Sequence, residues 1–244
     1  MRCCRKFSWK DTNVRVRCDL FDVVTRALVA QRTQLEAYIQ QHPEFRTALE
    51  PIILLTDAPP IARAMARAGE LTGVGPMAAV AGAMAQFAAE SARRRGAVEA
   101  IVENGGDIFL DATEAVVVGI FSGRGKLGAR LAFRVEPERM PLAVCSSSSR
   151  MGHSLSFGCC DLATVVATDA ALADAAATQA CNLVRTQEDI EPVLARIRAI
   201  PGISGLLLVK DERVGLMGDL PPLVRNADPD VGAKVTRDAA GQVP

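Results

Sequence analysis

The chain is poor in aromatic rings. Of its 244 residues, Phe, Trp and Tyr make up 4%, with one Trp and one Tyr. A binding surface anchored on Trp and Tyr is therefore not favoured. Net charge is also missing: 28 Lys and Arg stand against 28 Asp and Glu. This argues against holding nucleic acid through bulk electrostatics. No run of about 18 uncharged apolar residues is present, so no segment reads as a membrane span. The basic start Arg2-Cys3-Cys4-Arg5-Lys6 leads into Phe7-Ser8-Trp9-Lys10-Asp11 and not into an apolar stretch. It does not read as a secretory leader, and a reducing cytoplasmic setting is expected. None of the seven cysteines stands in a C-x2-C pair, which excludes zinc-finger spacing. Most of them read as small buried hydrophobes.

What is present points to a folded globule. Apolar residues reach 49%, too many for an intrinsically disordered chain, and the length allows one sizeable core. Asn13 to Cys18 alternates like a strand. Leu20 to Gln41 has helical spacing and stops at Pro43. A short helix is expected from Pro60 to about Ala68, ended by Gly69, and a longer one from Pro76 to about Arg95 with Gly82 inside it. Arg93-Arg94-Arg95 suits the negative end of that helix dipole better than it suits nucleic acid. Strands are expected at 98–102, 108–110, 115–121, 130–135, 141–145, 163–167, 206–209 and 214–217, with helices at 169–184 and 190–200. The order helix, buried strand, acidic turn, strand occurs at 76–110 and again at 188–217. This similarity of shape predicts an α+β fold of two related helix/β-sheet halves in one compact domain over 1–224, with a ligand cleft between the halves. Residues 225–244 are polar and aperiodic and are expected to be disordered.

Three segments can carry chemistry. In Glu103-Asn104-Gly105-Gly106-Asp107 the paired glycines could cradle an anion on their N–H groups, or they could form an ordinary hairpin turn. In Ala173-Asp174-Ala175-Ala176-Ala177-Thr178 the carboxylate and the hydroxyl are four residues apart and share one helix face. That pairing suits a hard cation such as Mg²⁺, or a polar pair between packed helices. Cys145-Ser146-Ser147-Ser148-Ser149, followed by Arg150 and His153, offers hydroxyls to a phosphate. It has no G-x-S-x-G elbow for a serine hydrolase, and a polar surface loop is its other reading.

Together these segments resemble the ApbE-like superfamily. Its characterised members are flavin transferases that use Mg²⁺ and FAD to attach FMN to a threonine of a partner protein. The resemblance is carried by Gly105-Gly106-Asp107-Ile108 and by Ala173 to Thr178. It is closer to a short, poorly characterised branch, which shows V-G-P-M-A-A-V-A-G-A, V-E-N-G-G-D-I, G-H-S-L-S-F-G and A-D-A-A-A-T, as at 74–83, 102–108, 152–158 and 173–178 here. It spans about residues 11 to 220. The resemblance implies a T-fold-like architecture, Asp174 and Thr178 as metal ligands, and a flavin or nucleotide pocket lined by Gly105, Gly106 and Asp107. One departure stands out. Transferases carry His-x-x-Asp-Pro-x-x-Gly after a Thr-Ser-Gly turn, where this chain has Ser147-Ser148-Ser149 and then Gly152-His153-Ser154-Leu155-Ser156-Phe157-Gly158.

Three function classes follow. The first is a Mg²⁺-dependent protein binding FAD or another diphosphate ligand, as a flavin or nucleotidyl transferase in which His153 and Ser146 to Ser149 contact phosphate or move a proton. The second is a sulfur-handling protein with a thiolate or persulfide on Cys145. The third is a non-catalytic binding protein on the same fold. The expected partner is a phosphate-bearing small molecule, with no nucleic acid and no membrane. The alanine-rich helices leave homodimerisation open.

Overall fold

The computed structural model describes residues 4–120, 131–149 and 158–226. The chain opens with a hairpin of β1 (Arg5–Trp9) and β2 (Thr12–Cys18). Four helices follow: α1 (Phe21–Gln41), α2 (Glu44–Thr47), α3 (Pro60–Thr72) and α4 (Val80–Arg93). Next come β3 (Ala100–Asn104), β4 (Asp107–Asp111), β5 (Val116–Ile120) and β6 (Leu131–Val135). β7 (Leu142–Ser147) and β8 (Leu162–Ala167) lead into α5 (Ala170–Leu183) and α6 (Ile190–Arg198). β9 (Ile203–Lys210), β10 (Arg213–Gly218) and β11 (Leu223–Arg225) complete the described fold.

Eight strands form one antiparallel sheet in the order β1-β2-β3-β4-β7-β8-β9-β10. Two strands, helices and two strands occur in β1 to β4 and again in β7 to β10, so the two halves share one connectivity. They meet where β4 pairs with β7, at Ile108↔Val144 and Leu110↔Leu142. The expected α+β architecture of two related halves is what the chain adopts.

Strand alternation explains the layers, because successive side chains point to opposite faces. Val14, Val16, Val102, Phe109, Cys145, Val165 and Leu208 face the helices. Ile101, Leu110, Val144, Val166 and Leu207 face the other way, against Val118 of β5 and Phe133 of β6. The three-stranded sheet β11-β6-β5 covers that second face. β8 is therefore buried along its whole length, and it reads as a continuous apolar run instead of an alternating one.

Several boundaries differ from the expectation. α3 runs past Gly69 to Thr72 and ends on Gly73, whose φ of 79° is left-handed. Gly69 is inside the helix because a Cβ there would lie 2.6 Å from the Val74 carbonyl oxygen, where the chain doubles back. The expected helix from Pro76 divides into a 3-10 turn (Pro76–Ala79) and α4, which ends at Arg93. Arg93 reaches back to Asp111 at 2.7 Å and to the Val98 carbonyl. β7 extends beyond Cys145 to Ser147. Arg225, expected to open a disordered tail, instead pairs with Leu131 in β11. The tail beyond Asn226 lies outside the described residues.

α5 is capped by Asp169, whose carboxylate accepts from the Leu172 N–H at 3.0 Å. Asp169→Ala removes this N-cap and is expected to lower stability by about 1 kcal/mol. Asp169→Asn, an equally good cap, should not. A shared urea midpoint for all three proteins would refute the assignment.

Candidate functional site

The site lies at the seam between the halves, on the helix-facing side of the large sheet. On β4 the alternation that buries Phe109 puts Asp107 on the same face. On β7 Cys145 and Ser147 share that face. The Asp107 Oδ1 accepts the Ser146 backbone N–H at 3.1 Å, and the Cys145 thiol favours the ionised form of the Asp107 carboxylate. The Cys145 Sγ also lies 3.6 Å from the carbonyl oxygen of Ala170, the first residue of α5.

One turn further along α5 sits Asp174. Its Oδ2 accepts the Gly82 N–H at 2.9 Å, and the neighbouring Ala81 N–H also favours the ionised carboxylate. These are first-turn amides of α4, which has no cap from its own N-cap residue, Ala79. Asp174 therefore caps α4 from another helix, with the helix dipole favouring its negative charge. Gly82 makes this possible. A Cβ on it would lie 2.2 Å from the Ala170 carbonyl oxygen and 2.9 Å from the Asp174 Cβ. From the other side, Asn104 of β3 donates to the Ala81 carbonyl at 3.2 Å.

Charge is costly at this seam. Burial pushes the Asp107 carboxyl up to about 7, against the Ser146 N–H and Cys145 bonds that favour its ionised form. Burial likewise raises Asp174 well above the usual carboxylate range, and the charge of Asp107 adds to the rise. Hydroxyls nearby are short of partners. Thr178, four residues after Asp174 on the same face, is 5% exposed, and Ser147 is 7% exposed. Among the described residues, neither Thr178 Oγ1 nor Ser147 Oγ has a hydrogen-bond partner. A buried hydroxyl normally finds one, and a helical threonine usually takes the carbonyl four residues back.

The remaining expected site residues divide. Ser146 points to the opposite face, where its hydroxyl meets Thr164 Oγ1 at 2.9 Å. Ser148 Oγ donates to the Asp161 carbonyl and Ser149 Oγ to the Cys160 carbonyl. The expected phosphate loop at 146–149 is thus the end of a strand plus its tether, and only Ser147 keeps a spare hydroxyl. Gly105 and Gly106 form the two-residue β3–β4 turn, with φ of 66° and 106°, as a type I′ hairpin requires. The Gly106 N–H donates to Glu103 Oε1 at 3.1 Å, so that amide is not open to an anion. A Cβ on Gly105 would meet nothing within 4 Å, so a ligand can approach that backbone.

Cys145 does not suit the sulfur-handling role. It is fully buried, and burial together with Asp107 and Asp174 pushes its thiol well above the ordinary value. A reactive thiolate needs the reverse, an electropositive and partly exposed site. His153 lies outside the described residues. The Ala81 and Gly82 amides were missed at the level of sequence. Their one signal is a glycine inside an otherwise good helix.

Among the described residues, no group of three or more His, Cys, Asp or Glu side chains is arranged to hold a metal. The donors that are present nevertheless fit Mg²⁺, which commonly takes one or two carboxylates and completes its shell with water and phosphate oxygens. An orphaned Thr178 hydroxyl beside the buried Asp174 carboxylate is such a donor set. No single helix of the described residues is long and apolar enough to cross a membrane.

Several known proteins are similar to this chain. A UPF0280 protein of Methanocaldococcus jannaschii is 39% identical over 224 residues, covering 88% of this chain and 91% of the relative. Another, from Methanothrix thermoacetophila, is 40% identical over 205 residues, 84% and 86% of the two chains. Among solved structures, the flavin transferase ApbE of Vibrio cholerae superposes with a TM-score of 0.55 at 13% identity, covering 92% of this chain and 97% of that one. The ApbE protein of Thermotoga maritima gives 0.53 at 13% identity over the same shares. At such identity the likeness concerns the fold. A family model described as AbpE bacteria matches residues 6–200, and this chain therefore belongs to that family, on a fold shared with the ApbE flavin transferases.

Proposed function

We propose that the chain binds a flavin or another diphosphate-bearing ligand together with Mg²⁺ at the β4–β7 seam, with Asp174 and Thr178 as the protein's ligands to the ion. The observation that carries this reading is the orphaned Thr178 hydroxyl one turn from a buried carboxylate. When bound, Mg²⁺ would supply the positive charge that the seam lacks and would neutralise a diphosphate. The Ala81 and Gly82 amides hold the Asp174 carboxylate in place. Asp107, tied to the Ser146 amide and the Cys145 thiol, sets the opposite wall. The open backbone at Gly105 gives a ligand its approach. The low aromatic content leaves few rings to stack on an isoalloxazine, so recognition rests on the phosphates. Flavin transfer, the activity named for the Vibrio cholerae neighbour, is the reaction such a site would support.

Thr178→Val tests this directly. Valine replaces a hydroxyl that has no partner, so the fold should lose nothing. Mg²⁺-dependent binding of FAD or ADP, followed by calorimetry, is expected to weaken about tenfold, the equivalent of about 1.4 kcal/mol. If the wild-type chain binds no flavin or nucleotide in a Mg²⁺-dependent way, or if the valine variant binds equally well, the reading fails.

A further inference from the structure

Between α2 and α3 the chain passes through Pro51-Ile52-Ile53-Leu54-Leu55, an apolar segment in no helix and no sheet. Its side chains alternate. Ile52 and Leu54 pack against the helical core, whereas Ile53 is 91% exposed and Leu55 40%. A period of two is the mark of extended backbone. Of the eight exposed large hydrophobic residues among the described residues, three (Leu49, Ile53 and Leu55) lie on this one stretch. The backbone is open as well. The Leu55 N–H donates to the Tyr38 hydroxyl of α1 at 3.0 Å. In extended backbone the Ile53 amide points to that same side, and the Ile52 and Leu54 amides point to the opposite edge. Among the described residues, the N–H and C=O groups of Ile52 and Leu54 have no hydrogen-bond partner. Buried backbone groups are almost always paired, so this edge faces water. It is a short apolar strand with one free edge, a template for pairing with another chain.

We propose that this edge pairs with a second copy of the chain, forming a two-fold symmetric homodimer through antiparallel strands at 51–55. With Ile53 on the axis, opposite its own copy, Ile52 falls opposite the partner's Leu54, and Leu54 opposite the partner's Ile52. Both are hydrogen-bonded pairs, so the four groups left open in each copy close across the axis. Pro51 falls opposite the partner's Leu55 in a non-hydrogen-bonded position, where its missing N–H costs nothing. The same register is complementary in charge. It sets the exposed Glu50 opposite the partner's Thr56. Arg63 of α3 is anchored at that point, its Nη2 donating to the Thr56 carbonyl at 3.2 Å and its Nε to the Ala58 carbonyl at 2.7 Å. Each copy thus brings a carboxylate to the other's guanidinium. A foreign peptide could satisfy the backbone, but an acid at one end of the strand and a cation at the other match a reversed copy of the strand itself.

Sedimentation equilibrium of the full chain, with dithiothreitol present so that no thiol links the copies, reads the association state. A monomer–dimer equilibrium is expected. Ile53→Asp changes a side chain outside the core, so the fold should persist. The dimer should weaken by at least about tenfold, because an apolar contact is lost and like charges come to face each other. Glu50→Arg should weaken it as well, by setting a cation against the partner's Arg63. Ile53→Cys reads the register. A non-hydrogen-bonded antiparallel pair holds its Cα atoms about 4.5 Å apart, within the span of a disulfide. Mild oxidation should therefore give a covalent dimer that mass spectrometry maps to a 53–53 link. Asp57→Cys, which this register sets opposite the partner's Leu49, should give no 57–57 link. A monomeric parent chain overturns the proposal and leaves the edge to a different partner. A dimer that Ile53→Asp does not weaken, or an Ile53→Cys variant without the 53–53 link, overturns it too. These readouts are masses, so the dimer stands or falls independently of the proposed ligand.

Discussion

Gly82→Ala is expected to destabilise the protein by about 2–3 kcal/mol and to weaken any ligand binding at the seam. Two effects oppose each other. Alanine is the better helix former, worth about 1 kcal/mol in α4. Against this, the new methyl would sit 2.2 Å from the Ala170 carbonyl oxygen and 2.8 Å from its carbon. Both are backbone atoms at the start of α5, and they cannot rotate away. The helices must separate, and overpacking of this kind costs about 1–3 kcal/mol or more. Separation would also stretch the Gly82 N–H bond to Asp174 Oδ2, now 2.9 Å, leaving a buried carboxylate short of a donor. We therefore expect the clash to outweigh propensity, and Gly82→Val to be worse than Gly82→Ala. Urea unfolding of the three proteins measures the order. An alanine variant as stable as the parent would show that propensity wins and that the helix contact is soft.

The sequence disclosed the parts whose signals are local. Asn104-Gly105-Gly106 announced the β3–β4 turn because paired glycines readily take the positive φ that a two-residue I′ hairpin needs at both positions. The alanine run after Asp169 announced α5, and the repeated order of helix and strand pointed to two halves before the sheet order was known. What stayed hidden depends on partners distant in the chain. Ser146 and Ser147 carry no apolar periodicity, so the end of β7 could not be told from a loop. β11 is held by backbone pairing to β6, which leaves no mark on Leu223 to Arg225. Gly69 looked like a helix end because the tight approach of the Val74 carbonyl cannot be read from spacing. At the site, the shared face of Asp174 and Thr178 was legible from their four-residue separation. The contact of Cys145 with Asp107, and the Ala81 and Gly82 amides that hold Asp174, join residues tens of positions apart. The burial that keeps Cys145 a neutral thiol follows from α5 packing on β7, which no local pattern encodes.

Asp107→Asn is expected to change how stability depends on pH. In the unfolded chain the Asp107 carboxyl ionises near the ordinary value of 3.8, whereas in the fold burial raises it to about 7. The folded state thus prefers the protonated acid. Its contribution is fully present below about pH 4, is lost as pH rises from about 4 to about 7, and stays lost above that. A separation of about three pH units, at 1.36 kcal/mol each, sets a ceiling of about 4 kcal/mol. Relaxation around the carboxylate should reduce the observed loss to about 2–3 kcal/mol. Asparagine cannot ionise, and its Oδ1 can still accept the Ser146 N–H. It also removes the negative neighbour that helps to raise Asp174. The variant should therefore match the parent near pH 4, exceed it increasingly up to about pH 7, and keep a constant advantage above. Chemical denaturation at a series of pH values, in the presence of a chelator, reads this difference. Mg²⁺ added at pH 8 should then stabilise the parent more than the variant, because only the parent carries two carboxylates at the seam for the ion to neutralise. Parallel stability profiles from pH 4 to pH 8 would mean that water reaches Asp107 and that the seam is not the desolvated charge site its burial implies.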